Sequence, residues 1–123
     1  MAADGQYWSD AAALNTFVYP ALSLHQELEI FQEAGIKPAD ILKTAIINGP
    51  KFLGKTAQFG GIEAGKEADL VLLNQNPLLN IKATQDIFAV VNNGTYYNRK
   101  TLDEMLQKAR QTKLRLDRER GSR

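Results

Sequence analysis

The chain has no cysteine, one histidine and one tryptophan among its 123 residues. Without cysteine there is neither a disulfide nor a thiolate ligand, and the redox compartment stays open. A catalytic zinc takes about three protein ligands, and one imidazole without thiols falls short of the usual set. No apolar run approaches the roughly 20 residues that span a bilayer, so no membrane partner is expected. The opening Met1-Ala2-Ala3-Asp4-Gly5 lacks the basic and apolar regions of a signal peptide, which slightly favours the cytoplasm. There is no internal repeat. What remains is the composition of an ordinary soluble protein, 44% hydrophobic and 24% charged.

Formal net charge is +1 but unevenly spread: Lys108 to Arg123 holds seven basic and two acidic residues, so this end carries +5 and the remainder −4. Such a tail could be a nucleic-acid footprint, but no aromatic residues are interleaved for base stacking. Glu104 one turn before Lys108 points instead to a solvated helix, and no nucleic-acid partner is expected.

The most structured stretch is Phe59 to Leu79. Gly60, Gly61 and Gly65 can take positive φ and form tight turns ahead of Leu70-Val71-Leu72-Leu73. That run has no polar alternation, which predicts a strand with protein on both faces. It stops at Asn74-Gln75-Asn76-Pro77. Asp69, just before the strand, can accept backbone N–H groups, with the Glu63–Lys66 turn as the expected donor.

Upstream, Ser23 to Ala34 reads as a helix with a Ser23–Gln26 capping box, an apolar stripe of Leu24, Leu28 and Phe31, and Gly35 as the stop. Pro38 opens a second helix with Asp40 in its first turn and Ile41, Leu42, Ala45 and Ile46 on its buried face. Gly49 and Pro50 should end it, with one further turn over Pro50–Leu53. Downstream, Ile87 to Val91 predicts a second strand. Asn93-Gly94 is a two-residue hairpin signal and Thr95-Tyr96-Tyr97 the return. Thr101 with Glu104 forms another capping box, opening a helix with Leu102, Met105, Leu106 and Ala109 on one side.

Three blocks in this order resemble the closing segment of the metal-dependent amidohydrolase superfamily, in its imidazolonepropionase-like and prolidase-like branch. They are Ile47-Asn48-Gly49-Pro50, then Leu53-Gly54, then Gly60-Gly61-Ile62-Glu63-Ala64-Gly65-Lys66-Glu67-Ala68-Asp69-Leu70-Val71. Ser9-Asp10-Ala11-Ala12-Ala13-Leu14-Asn15-Thr16-Phe17 is similar to the segment after the family's eighth barrel strand. The family has an apolar strand just before that point, whereas Ala2 to Trp8 does not read as one. Ser-Leu-His-Gln-Glu-Leu, around His25, is similar to a recurrent motif of the branch.

The resemblance implies a (β/α)8 hydrolase that binds a divalent metal, usually zinc, through histidines on early and middle strands and an aspartate after the eighth. It implies metal-activated water attacking a C–N bond, with the aspartate relaying the proton to the leaving amine. Of that set only Asp10 falls on this chain, as metal ligand and catalytic residue. At this length a complete barrel, which takes roughly 200 residues or more, is excluded.

The expected fold is therefore α+β: two N-terminal helices, a small antiparallel sheet belonging to the family's β-sandwich, and a long C-terminal helix. Residues 1–58 would carry the last barrel loop and helices, 59–100 the sandwich strands and 101–123 the final helix and tail. The parent would hydrolyse amide, cyclic amide or dipeptide bonds. The isolated chain, without the histidines, would be inactive and bind no metal of its own. The alternative is a non-catalytic module that self-associates through bare sheet edges and helix faces, so the expected partner is a second copy or a complementing barrel segment. His25 with Glu29 makes too small a set for a metal and reads as a packing histidine. Asn48, Lys66 and Asp69 read as structural, with Lys66 left to solvent. Trp8, Phe17 and Tyr19 would line a pocket mouth in the parent or cover the core.

Overall fold

The computed structural model describes residues 22–121. Helix α1 spans Leu22–Glu33 and α2 spans Pro38–Lys43; a π-helical turn over Thr44–Asn48 then runs directly into α3, Gly49–Phe52. After a long loop come β1, Leu70–Leu73, a 3-10 turn over Ile81–Gln85, β2, Ile87–Asn92, β3, Thr95–Asn98, and α4, Arg99–Gly121. The three strands form one antiparallel sheet in the order β1-β2-β3. The architecture is α+β, as the sequence predicts, without a complete barrel among the described residues.

Local chemistry explains the boundaries. Helix α1 closes with Ile36 N–H bonded to Phe31 O at 3.0 Å and Gly35 N–H to Gln32 O at 2.9 Å. Gly35 sits at φ +89. This paired closure requires a left-handed residue at the first non-helical position, which glycine adopts without a Cβ clash. Lys37 is extended and Pro38 occupies the first turn of α2, where no intrahelical N–H is needed.

The predicted stop at Gly49-Pro50 is overturned. Gly49 has helical angles, φ −60 and ψ −58, and the chain stays helical to Phe52. Proline has no N–H to give the carbonyl four residues back, here Ile46, and its ring crowds that oxygen in an α-helix. The widened π turn just before it makes room for the ring without ending the helix.

Both predicted capping boxes are also corrected. Ser23 lies inside α1, and its hydroxyl is buried with no hydrogen-bond partner among the described residues. Helix α4 begins two residues before Thr101. Asn98 Oδ1 accepts from Thr101 N at 2.9 Å and from Thr101 Oγ1 at 3.1 Å, so the asparagine does the capping.

Two parts are joined by the 3-10 turn. Ile81, on that turn, is 1% exposed and packs with Leu28 and Ile41 in the core of the helical part, edged by Phe31, Ile36 and Leu42. On the sheet side Ala89 is fully buried at the centre of β2, paired with Leu72 and Asn98. Asn93 and Gly94 both take positive φ, 47 and 74, giving the tight hairpin between β2 and β3. The cover expected on both faces of β1 is not supplied by the described residues. Val71 is 59% exposed, its strand neighbour Leu72 faces the other way and is exposed too, and β1 is an edge strand.

Candidate functional site

The glycine turn ahead of β1 is held at three points. Gly60, at φ +87, lies against the π turn, where an added Cβ would come within 3.2 Å of the Ile46 carbonyl oxygen and 3.4 Å of the Pro50 ring. The proline that widens the helix and the glycine that rests on it thus form one contact. Glu67 N–H bonds back to Gln58 O at 2.9 Å and closes the loop. Gly65 takes positive φ as expected, but Gly61 does not; its space is filled by Lys66, whose Nζ would sit 3.1 Å from an added Cβ. Lys66 is therefore not left to solvent: its side chain is 15% exposed and its ammonium lies 3.4 Å from Glu63 Oε1.

Asp69 fixes a loop, but not the one expected. Its Oδ1 accepts from Asn93 N at 2.7 Å, and Gly94 N–H bonds to Ala68 O at 3.2 Å. The carboxylate ties the start of β1 to the β2–β3 hairpin across the sheet end rather than to the Glu63–Lys66 turn. Aspartate suits this because a short charged acceptor makes a strong bond to a main-chain donor.

A second polar cluster runs along one face of α1. His25, Glu29 and Gln32 lie four and three residues apart, hence on one side of the helix. All three engage the 3-10 turn. Gln32 Oε1 accepts from Ile81 N at 2.8 Å, His25 Nδ1 lies 3.1 Å from Thr84 Oγ1, and Glu29 meets both Gln85 Nε2 and, at 3.4 Å, Lys82 Nζ. The Thr84 hydroxyl proton is already directed at Ile81 O, 2.8 Å away, so this oxygen accepts from the imidazole. Nδ1 of His25 is then the donor in this contact, and the ring is a positioned packing residue. Sequence reasoning missed Gln32 and Thr84, whose role exists only once the 3-10 turn folds back on α1. Asn80, whose Oδ1 accepts from Lys82 N at 3.0 Å, had a readable signal as a short polar residue before a helical turn.

Asp10, the predicted metal ligand and catalytic residue, lies outside the described residues, as do Trp8, Phe17 and Tyr19. Asn48 sits at the end of the π turn with its Nδ2 3.5 Å from Thr44 Oγ1, a structural position. Among the described residues no three His, Asp or Glu side chains converge to hold a metal ion. His25 and Glu29 point their polar atoms into the clasp on the 3-10 turn. A divalent metal of the kind the resemblance implies does not fit the described residues. Nor, among them, is any helix long and apolar enough to cross a membrane.

The sequence profile of the amidohydrolase family matches residues 2–107. Ochratoxinase of Aspergillus niger is 36% identical over 80 residues, which are 63% of this chain and 17% of the relative. The solved structure of phenylurea hydrolase B superposes with a TM-score of 0.58 at 32% identity, covering 63% of this chain and 17% of that one. A Xaa-Pro dipeptidase with methionine in its active site gives a TM-score of 0.57 at 27% identity, over 60% of this chain and 18% of that one. The chain thus spans about a sixth of the length of the curated relatives it matches. With the profile running through both the helical part and the sheet, the chain belongs to the amidohydrolase family.

Proposed function

We propose that this chain is the C-terminal scaffold of an amidohydrolase that cleaves C–N bonds, contributing one residue, Asp10, to a metal site completed by a barrel segment. The observation that carries this reading is the match over residues 2–107 together with hydrolase neighbours of TM-score near 0.57. A phenylurea and a Xaa-Pro dipeptide, the compounds those neighbours are named for, share a carbonyl carbon bonded to nitrogen. An amide, cyclic amide or dipeptide is therefore the proposed substrate class. The chain's own work in such an enzyme is positional. The π turn, Pro50 and Gly60 set the path from the helices to β1, and the His25–Glu29–Gln32 clasp holds the helices to the sheet.

Alone, the chain is proposed to be catalytically silent, because a hydrolytic metal needs about three protein ligands and the described residues offer no convergent set. The test is to add zinc, manganese or cobalt to the purified chain and assay dipeptides and acylated amines. No turnover is expected, and turnover abolished by Asp10→Asn would refute the incomplete-site reading. To test parentage, the reading frame upstream of Met1 should encode a His-x-His motif; a frame that lacks it would count against a barrel parent.

A second reading is favoured by the exposed apolar residues on both sheet faces: Val71 and Phe88 on one, Leu72 and Tyr96 on the other. In this reading the chain is a non-catalytic module that self-associates.

A further inference from the structure

The chain contains two Asn-Gly pairs, Asn48-Gly49 and Asn93-Gly94. In either pair the glycine nitrogen can close on the asparagine side-chain amide, because glycine has no side chain to obstruct the approach. The glycine N–H gives its proton to a solvent base and its nitrogen bonds to asparagine Cγ. The Cγ–Nδ2 bond breaks, ammonia leaves and a succinimide ring remains. Water then opens that ring at either carbonyl, giving aspartate or isoaspartate. The net change is one amide and one water converted to a carboxylate and an ammonium ion, with nothing oxidised or reduced. As bare sequence the two pairs are equivalent.

The fold separates them. Asn48 and Gly49 are half-buried and both helical, at φ −67, ψ −34 and φ −60, ψ −58, inside the unbroken helical run from Thr44 to Phe52. To swing the Gly49 nitrogen toward Cγ, that run would have to open where Gly60 lies against it. Asn93 and Gly94 are instead exposed at the hairpin tip, held by two contacts. Asn93 N–H bonds to Asp69 Oδ1 at 2.7 Å and Gly94 N–H to Ala68 O at 3.2 Å. Both oppose ring closure while they last. The second engages the N–H that must lose its proton. The first fixes the residue that must turn, and places a carboxylate where it disfavours an amide anion.

We infer that Asn93 is the deamidation site of the folded chain and that the Asp69 clasp sets its rate. An exposed hairpin tip opens locally at far smaller cost than a packed helix, and the ring closes only while the clasp is undone. The product weakens what restrained it. A carboxylate at position 93 stands beside Asp69 and repels it. The isoaspartate product adds a methylene to the main chain of a turn whose two residues both sit at positive φ. Conversion is therefore one-way, and it releases the start of β1 from the hairpin.

The test is to incubate the full chain at mildly alkaline pH and follow amide loss by mass spectrometry after tryptic digestion. Peptides 44–51 and 83–99 report the two pairs separately. In the folded chain Asn93 should convert while Asn48 keeps its amide; in urea the two should convert at comparable rates. Asp69→Ala should speed conversion at Asn93 about tenfold or more, as loss of one charge-assisted hydrogen bond implies, and leave Asn48 unchanged. Asp69→Asn, which keeps a neutral acceptor, should have a smaller effect in the same direction. Circular dichroism shows that each variant folds, and Asn48 is the internal check, since general loosening would speed both sites. Asn48 converting as fast as Asn93 in the folded chain would overturn the assignment, as would a wide gap between them in urea. An unchanged rate at Asn93 in Asp69→Ala, or an equal rise at both sites, would overturn the role of the clasp.

Discussion

Gly60 shows how a single position can be fixed from two directions. Its backbone lies at φ +87, where an L side chain costs about 1–2 kcal/mol, and its missing Cβ faces a backbone oxygen that cannot move aside without disturbing the π turn. Gly60→Ala should therefore lower stability by about 1–3 kcal/mol in urea unfolding. Gly61→Ala is the control. Its close neighbour is the flexible end of Lys66 and its φ is ordinary, so the loss should stay within about 1 kcal/mol. Equal losses at the two positions would show that the contact with Ile46 does not matter. Gln32 belongs at the same scale. Truncation to alanine leaves the Ile81 N–H without its acceptor, at a cost of about 1–3 kcal/mol, whereas Gln32→Glu keeps an acceptor and should cost less. Asn98→Ala removes the cap of α4 and should cost about 1 kcal/mol; Thr101→Val, if the asparagine is the cap, should cost less.

Among the elements, the 3-10 turn is the one on which the others depend. It inserts Ile81 between Leu28 and Ile41 and offers its backbone and side chains to α1, while β2 follows it after a single residue. Ile81→Ala should destabilise the chain by about 2–5 kcal/mol and loosen the helices from the sheet. Amide exchange would check this: protection should fall in α1 and α2 as well as at the mutated turn, and a loss confined to residues 80–86 would contradict it. This element was not legible in the sequence, because Ile81-Lys82-Ala83-Thr84-Gln85 is too short to show a period and its partners are about 50 residues away. The hairpin, by contrast, was legible from Asn93-Gly94 alone, since few other dipeptides favour two successive left-handed residues. The capping boxes misled for a shared reason. Ser23-x-x-Gln26 and Thr101-x-x-Glu104 satisfy the local pattern, but each helix had already started upstream, and at α4 Asn98 offered an acceptor at the true boundary.

At the scale of the molecule, the fold is more legible than the site. The apolar run of β1 gave a strand, but the protein expected on both its faces is not found, since Val71 and Leu72 are exposed on opposite faces. The layer that would cover them is not among the described residues, and no pattern inside Leu70–Leu73 could have said so. The candidate site is less legible still, because its one predicted member, Asp10, lies outside the described residues and the remaining ligands would come from another stretch of chain. What the described residues show is a helical part and a sheet joined by the 3-10 turn, with the lone histidine directed into a structural hydrogen bond.

The most direct test is metal stoichiometry: load the purified chain with zinc, dialyse, and measure zinc retained per monomer alongside hydrolysis of a dipeptide. The account predicts no tightly held zinc and no turnover, because the described residues offer no convergent set of three ligands. One zinc retained per monomer, in a form that survives dialysis at dilutions where the chain is a single copy, would contradict it.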